Sequence, residues 1–126
     1  MSYEPSAFDL AAAVVRRSGD PNELLGYLAT KFQAALPGQM RVERGGFLGR
    51  GPVRLVEVAL GDYRYSIETQ RNILQARRAK TVRGVEISHE DLTIDHWVNE
   101  LTRELETLAE QSELYGEAIK RLALGL

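Results

Sequence analysis

Between Val53 and Gln70 the apolar residues recur at every second position, and the alternation reverses about the dipeptide Gly61-Asp62. Period two marks a strand with one covered face, and a glycine-first two-residue loop suits a type II′ turn. That turn fixes the register. Leu60 faces Tyr63, Val58 faces Tyr65 and Val56 faces Ile67 on one side of the ribbon. Ala59 with Arg64, Glu57 with Ser66 and Leu55 with Glu68 occupy the other, mostly polar side. A slip of one residue would turn the whole apolar set to water. The rest of the chain must therefore supply an apolar layer for one face of a sheet.

The flanking segments have helical periodicity. Ser6 is placed to cap a helix over 7–17, with Asp9 at the capping-box position and Leu10, Ala11, Val14 and Val15 as its apolar stripe. Ser18-Gly19 closes it. Asp20 as N-cap, Pro21 at the first helical position and Glu23 three residues after the cap reopen a helix. Leu24, Leu25, Leu28, Phe32, Ala35 and Leu36 then recur at helical spacing until Pro37-Gly38. Residues 1–38 read as a helical hairpin.

Met40 to Arg44 reads as a strand ahead of the central hairpin, joined to it by Gly45-Gly46-Phe47-Leu48-Gly49-Arg50-Gly51-Pro52. Beyond the hairpin, a two-residue turn at Arg71-Asn72 would continue the meander and set Arg78 opposite Tyr65, on the apolar face. A strand over 73–83 with a bulge that re-aims Arg78 is the preferred expectation, and a short helix capped by Asn72 and Gln75 the alternative. Val85 to Ser88 reads as a short strand or extended connector. The fold class expected is α+β, with an antiparallel sheet of about four strands over 40–88.

The final segment is the longest helix, expected over 93–124. Thr93 is its N-cap, with Leu92 and Trp97 as a hydrophobic staple. Val98, Leu101, Leu105, Leu108, Ser112, Tyr115, Ile119, Leu122 and Leu126 alternate spacings of three and four, a heptad pattern with Ser112 as its polar interruption. Unbroken, this helix would be about 46 Å long, against a diameter of about 36 Å for a domain of this size. Either it breaks near Gly116 or its far end packs on another chain. On the second alternative, Leu108, Tyr115, Ile119, Leu122 and Leu126 form a partner-binding stripe.

Charge is distributed unevenly. The chain has 126 residues, 16 Lys+Arg and 18 Asp+Glu, for a formal charge of −2. Residues 41–83 nevertheless carry a net +6 and residues 84–126 a net −7. Within the basic stretch, Arg71, Arg77, Arg78, Lys80 and Arg83 could follow a phosphate backbone. Against that stand a pI of about 5.7 and the acidic helix that follows. Pairing between basic sheet and acidic helix (Glu100, Glu104, Glu106, Glu110, Glu113) accounts for both features.

The sequence offers little chemistry. Cysteine is absent, which removes disulfides, thiolate metal sites and cysteine nucleophiles together. The glycine-rich stretch lacks the Gly-Lys-Ser/Thr ending and following helix of a phosphate loop, so a flexible hairpin loop is expected, with Phe47 and Leu48 at its tip free to touch a partner. His89, Glu90, Asp91, Asp95 and His96 are metal-ligating types at a spacing that matches no zinc signature. No cofactor and no metal are expected. The function expected is a non-catalytic protein–protein interaction module, a homo-oligomer or assembly subunit that associates through its C-terminal amphipathic helix. Nucleic-acid binding through the basic stretch is the alternative, and a small-molecule or metal-dependent enzyme built on the histidines a third. No stretch reaches the ~18 apolar residues of a membrane span, and the N-terminus lacks a secretory pattern. A cytoplasmic protein is the expectation, and arginine's excess over lysine suggests a bacterial source.

Overall fold

The computed structural model describes residues 7–124 of the chain. The expected cap Ser6, the stripe residue Leu126, and the side chains of Asp9, Leu10, Ala11 and Leu124 lie outside the described residues. Two helices, α1 (Ala7–Arg17) and α2 (Pro21–Ala35), precede five strands: β1 (Met40–Arg44), β2 (Val53–Leu60), β3 (Tyr63–Gln70), β4 (Ile73–Val82) and β5 (Val85–Leu92). Helices α3 (Ile94–Ala109) and α4 (Glu113–Leu124) follow. The sheet is an antiparallel meander in sequence order, β1-β2-β3-β4-β5.

The central hairpin has the register its alternation dictates, with Leu60, Val58 and Val56 opposite Tyr63, Tyr65 and Ile67. Gly61 has φ +59 and Asp62 is not left-handed, as a type II′ turn requires. At the next turn Arg71 and Asn72 both have positive φ, and at the last Arg83 and Gly84 do. Both connections therefore have the backbone of type I′ turns. The fifth strand exceeds expectation, because the segment after Gly84 pairs with β4 along its whole length.

Arg78 lies opposite Tyr65 with no bulge beside it, which corrects the expected re-aiming and rules out the alternative helix. Its guanidinium is instead neutralised where it lies. The bulges fall elsewhere. Arg54 is an extra residue on β2 between the partners of Glu43 and Arg44, so Val53 and Val56 both face the helices. Ile87 is the extra residue on β5.

Helices α2 and α3 lie on one face of the sheet, and α1 and α4 pack mainly on them and on each other. One apolar cluster joins the layers, with Leu24, Leu28 and Phe32 of α2, Val56, Val58, Tyr65 and Ile67 of the sheet, and Trp97, Leu101 and Leu105 of α3. Trp97 donates its indole N–H to the Arg77 carbonyl at 3.2 Å, so its burial leaves no orphan donor. Among the described residues the other face of the sheet carries no helix, and the ion pairs Arg41–Glu57 and Arg77–Asp91 lie across it.

The C-terminal segment is not one projecting helix. It breaks at Glu110–Ser112, and Gly116 lies inside α4. Ser112, the polar interruption of the heptad pattern, accepts a hydrogen bond from the Leu114 N–H at 3.2 Å and so caps α4. α4 folds back, and Arg121 donates to the Ala34 carbonyl at the end of α2 at 3.2 Å. Of the two alternatives for a helix this long the break is the one observed, though it falls before Gly116, and it lets the chain bury Leu122 and partly cover Leu108, Tyr115 and Ile119.

Candidate functional site

The connection between β1 and β2 is a hairpin loop, as expected, with its two ends hydrogen-bonded to each other. Gly45 N–H donates to the Pro52 carbonyl (3.0 Å) and Gly51 N–H to the Gly45 carbonyl (2.8 Å), which ties its two ends together. The close approach needs glycine at both sides. A Cβ on Gly46 would lie 2.9 Å from Gly51 Cα, and one on Gly51 would lie 2.7 Å from the Gly45 oxygen. Between these ties a short 3-10 turn, Phe47–Gly49, holds Phe47 85% and Leu48 72% exposed. Leu48 sits at φ 57, a left-handed conformation that costs an L-residue about 1–2 kcal/mol. Two large apolar side chains are thus displayed to water on a strained, tied turn.

Beside this turn runs a groove of about 650 Å³ between α2 and β1, lined by Ala29, Thr30, Gln33, Ala34, Val42, Arg44 and Gly49. β1 forms one end of the sheet, and among the described residues nothing pairs with its outer edge. Loop tip, groove and free strand edge are therefore contiguous.

The expected helix stripe lies elsewhere, along α3 and α4. Leu122 is 3% exposed, and Leu108, Tyr115 and Ile119 pack against the core cluster. Leu122 belongs to the buried core, and the other three are partly covered by it.

The basic stretch does not form a patch. Arg71 and Arg83 sit exposed on two separate turns, while Arg77 and Arg78 point to opposite faces of β4. Arg77 pairs with Asp91 at 3.1 Å on the open face. On the helix side, Arg78 is bound by Glu90 of β5 and, at 3.1 Å, by Glu100 of α3, with its guanidinium 5.0 Å from the centre of the Tyr63 ring. Burial alone would lower the pKa of Arg78, but the neighbouring Tyr65 and Glu90 hold it above its ordinary value. Tyr65 is pushed up, chiefly by burial against the opposing effect of Arg78. Glu104 is also pushed up, by burial and then by the neighbouring Asp62. Of the expected sheet-to-helix pairs only Arg78–Glu100 forms among the described residues; the other partners of Arg77 and Arg78, Asp91 and Glu90, lie on β5. Lys80 joins Tyr63, Arg78, Ser88, His89 and Glu90 around a cleft of about 230 Å³, below the usual size of a ligand pocket, about 300–1,000 Å³.

His89 lies 3.3 Å from Glu86, and His96 lies 3.5 Å from Glu100. Each histidine has its own carboxylate, and among the described residues no three His, Asp or Glu side chains gather into a metal-ligand set. Among the described residues no helix is long and apolar enough to cross a membrane. Compared with known protein families, curated proteins and solved structures, the chain matches none.

Proposed function

We propose that this protein is a non-catalytic interaction module that associates with a second copy of itself through the β1 end of its sheet, with Phe47 and Leu48 as apolar anchors. The observation that carries this is the tied glycine turn, which holds both side chains in water at a conformational cost that their own chain does not recover. Strain kept at a surface site is a recurrent mark of binding function. A turn already fixed in one conformation loses little further entropy when it docks. The adjoining groove, with Ala29, Ala34 and Val42 in its lining, supplies apolar surface within reach of such anchors.

The solution mass tests this. Light scattering of the purified chain at about 100 μM should give twice the chain mass, and Phe47→Ser with Leu48→Ser should return it to a monomer. Both positions are exposed, so the fold should persist, with an unchanged far-UV circular dichroism spectrum. A monomeric mass for the unaltered protein overturns the proposal.

A further inference from the structure

The exposed edge of β1 reads Met40-Arg41-Val42-Glu43-Arg44, and its charges are complementary to their own reversal. We infer that two copies join their β1 edges antiparallel about a two-fold axis centred on Val42, merging two five-stranded sheets into one of ten strands. This inference rests on the self-association proposed above and assigns its register.

In that register Val42 meets its own counterpart, and Arg41 of each protomer lies opposite the partner's Glu43. Two opposite-charge pairs form directly across the strands, the arrangement that stabilises an antiparallel ladder. Arg41 and Glu43 are already 3.0 Å apart within one strand, and Arg54 and Glu57 reach the same pair from β2. Pairing the edges would therefore join two existing charge clusters into a network, the form in which exposed charges contribute most. It would also satisfy backbone groups along an edge that no strand among the described residues pairs with.

Five residues of ladder are too little for a stable interface, which buries roughly 800 Å² on each partner. The turn supplies the remainder. With Val42 at the axis, Arg44 of one protomer faces the partner's Met40, so the turn that follows Arg44 leaves the strand across the partner's edge. That carries Phe47 and Leu48 toward the flank of α2, where Gln33 and Ala34 line the groove.

The opposite edge is suited to staying unpaired. β5 is exposed from Val85 to Asp91, carries Glu86, Glu90 and Asp91, and has its bulge at Ile87. Acidic side chains and a bulge are features that keep edge strands apart. Joining β1 of one copy to β5 of the next would give an open array with no closed stoichiometry.

Charge reversal tests the register. Arg41→Glu or Glu43→Arg alone places like charges opposite each other twice per dimer. Each should raise the dimer dissociation constant by about tenfold. The double variant Arg41→Glu/Glu43→Arg restores opposite pairs and should return the constant to within about threefold of the unaltered protein. Slower amide exchange in β1 as protein concentration rises is the second readout. If Phe47→Ser/Leu48→Ser dissociates the dimer while the single reversals leave it unchanged, or the double variant fails to recover, the register is overturned and self-association stands. Masses that grow beyond a dimer with concentration would assign β1 to the partner's β5, and would also overturn it. A monomeric unaltered protein removes both inferences.

Discussion

Leu48 shows how one residue can be explained by what it offers rather than by what it stabilises. Glycine would hold φ 57 without steric cost, yet a branched apolar side chain stands there, 72% exposed. Leu48→Gly should therefore stabilise the isolated chain, by up to about 1 kcal/mol in urea unfolding, after the entropy of the freer unfolded chain is subtracted. The same change should reduce the dimer fraction, because it removes an anchor. A loss of stability in the monomer would mean that Leu48 is held by its own chain, and the strain argument would fail. Arg78 makes the opposite point. It occupies the apolar face of a strand and stays there because Glu90, Glu100 and the Tyr63 ring surround its guanidinium, so no bulge is needed.

α4 is an element whose role changed once its start was located. A heptad stripe that continues past the break would need a second chain to cover it. A helix capped by Ser112 and folded back on α1, α2 and α3 buries Ala118 and Leu122 in the core cluster instead. Leu122→Ala should accordingly cost about 2–5 kcal/mol of folding stability, the range for truncating a buried leucine, measured by denaturant unfolding of a variant kept monomeric by Phe47→Ser/Leu48→Ser. A change below about 0.5 kcal/mol is what an exposed interface position gives, and that result would restore the free stripe.

At the seam between the sheet and α3, Arg78 and Glu100 form an ion pair at 3.1 Å. Not every charge at that seam is well placed. Glu104 of α3 lies over the Gly61 turn, beside Asp62, and its pKa is raised above the ordinary 4.5 by burial and by that neighbour. A raised carboxyl pKa means the folded state holds the proton more tightly than the unfolded chain. The stability it adds is complete below pH ~4.5 and is lost as pH rises through the folded value. At neutral pH Glu104 is therefore a cost. Glu104→Gln should raise the melting temperature at pH 7, and the gap to the unaltered protein should close by about pH 4. Equal melting temperatures at pH 7 would show that the carboxylate is as well solvated folded as unfolded.

Local rules determined much of this chain. Alternation about Gly61-Asp62 specified the β2–β3 register pair by pair, because a strand with one covered face has only one register that buries its apolar set. Asp20 and Thr93 marked helix starts, since each side chain accepts from backbone N–H groups that the first turn leaves free. What tertiary packing decided depends on neighbours distant in sequence. β5 became a full strand only because β4 offered it an edge. Arg78 could remain on the apolar face because carboxylates 12 and 22 residues away, on β5 and α3, reached it. The Ser112 cap was legible as a residue type, but heptad spacing ran unbroken through it, and periodicity does not say whether a stripe meets its own chain or another. The glycines at 46 and 51 likewise signal a loop in sequence. That they press two backbone segments together and hold Phe47 and Leu48 outward follows from a through-space approach that no local pattern encodes.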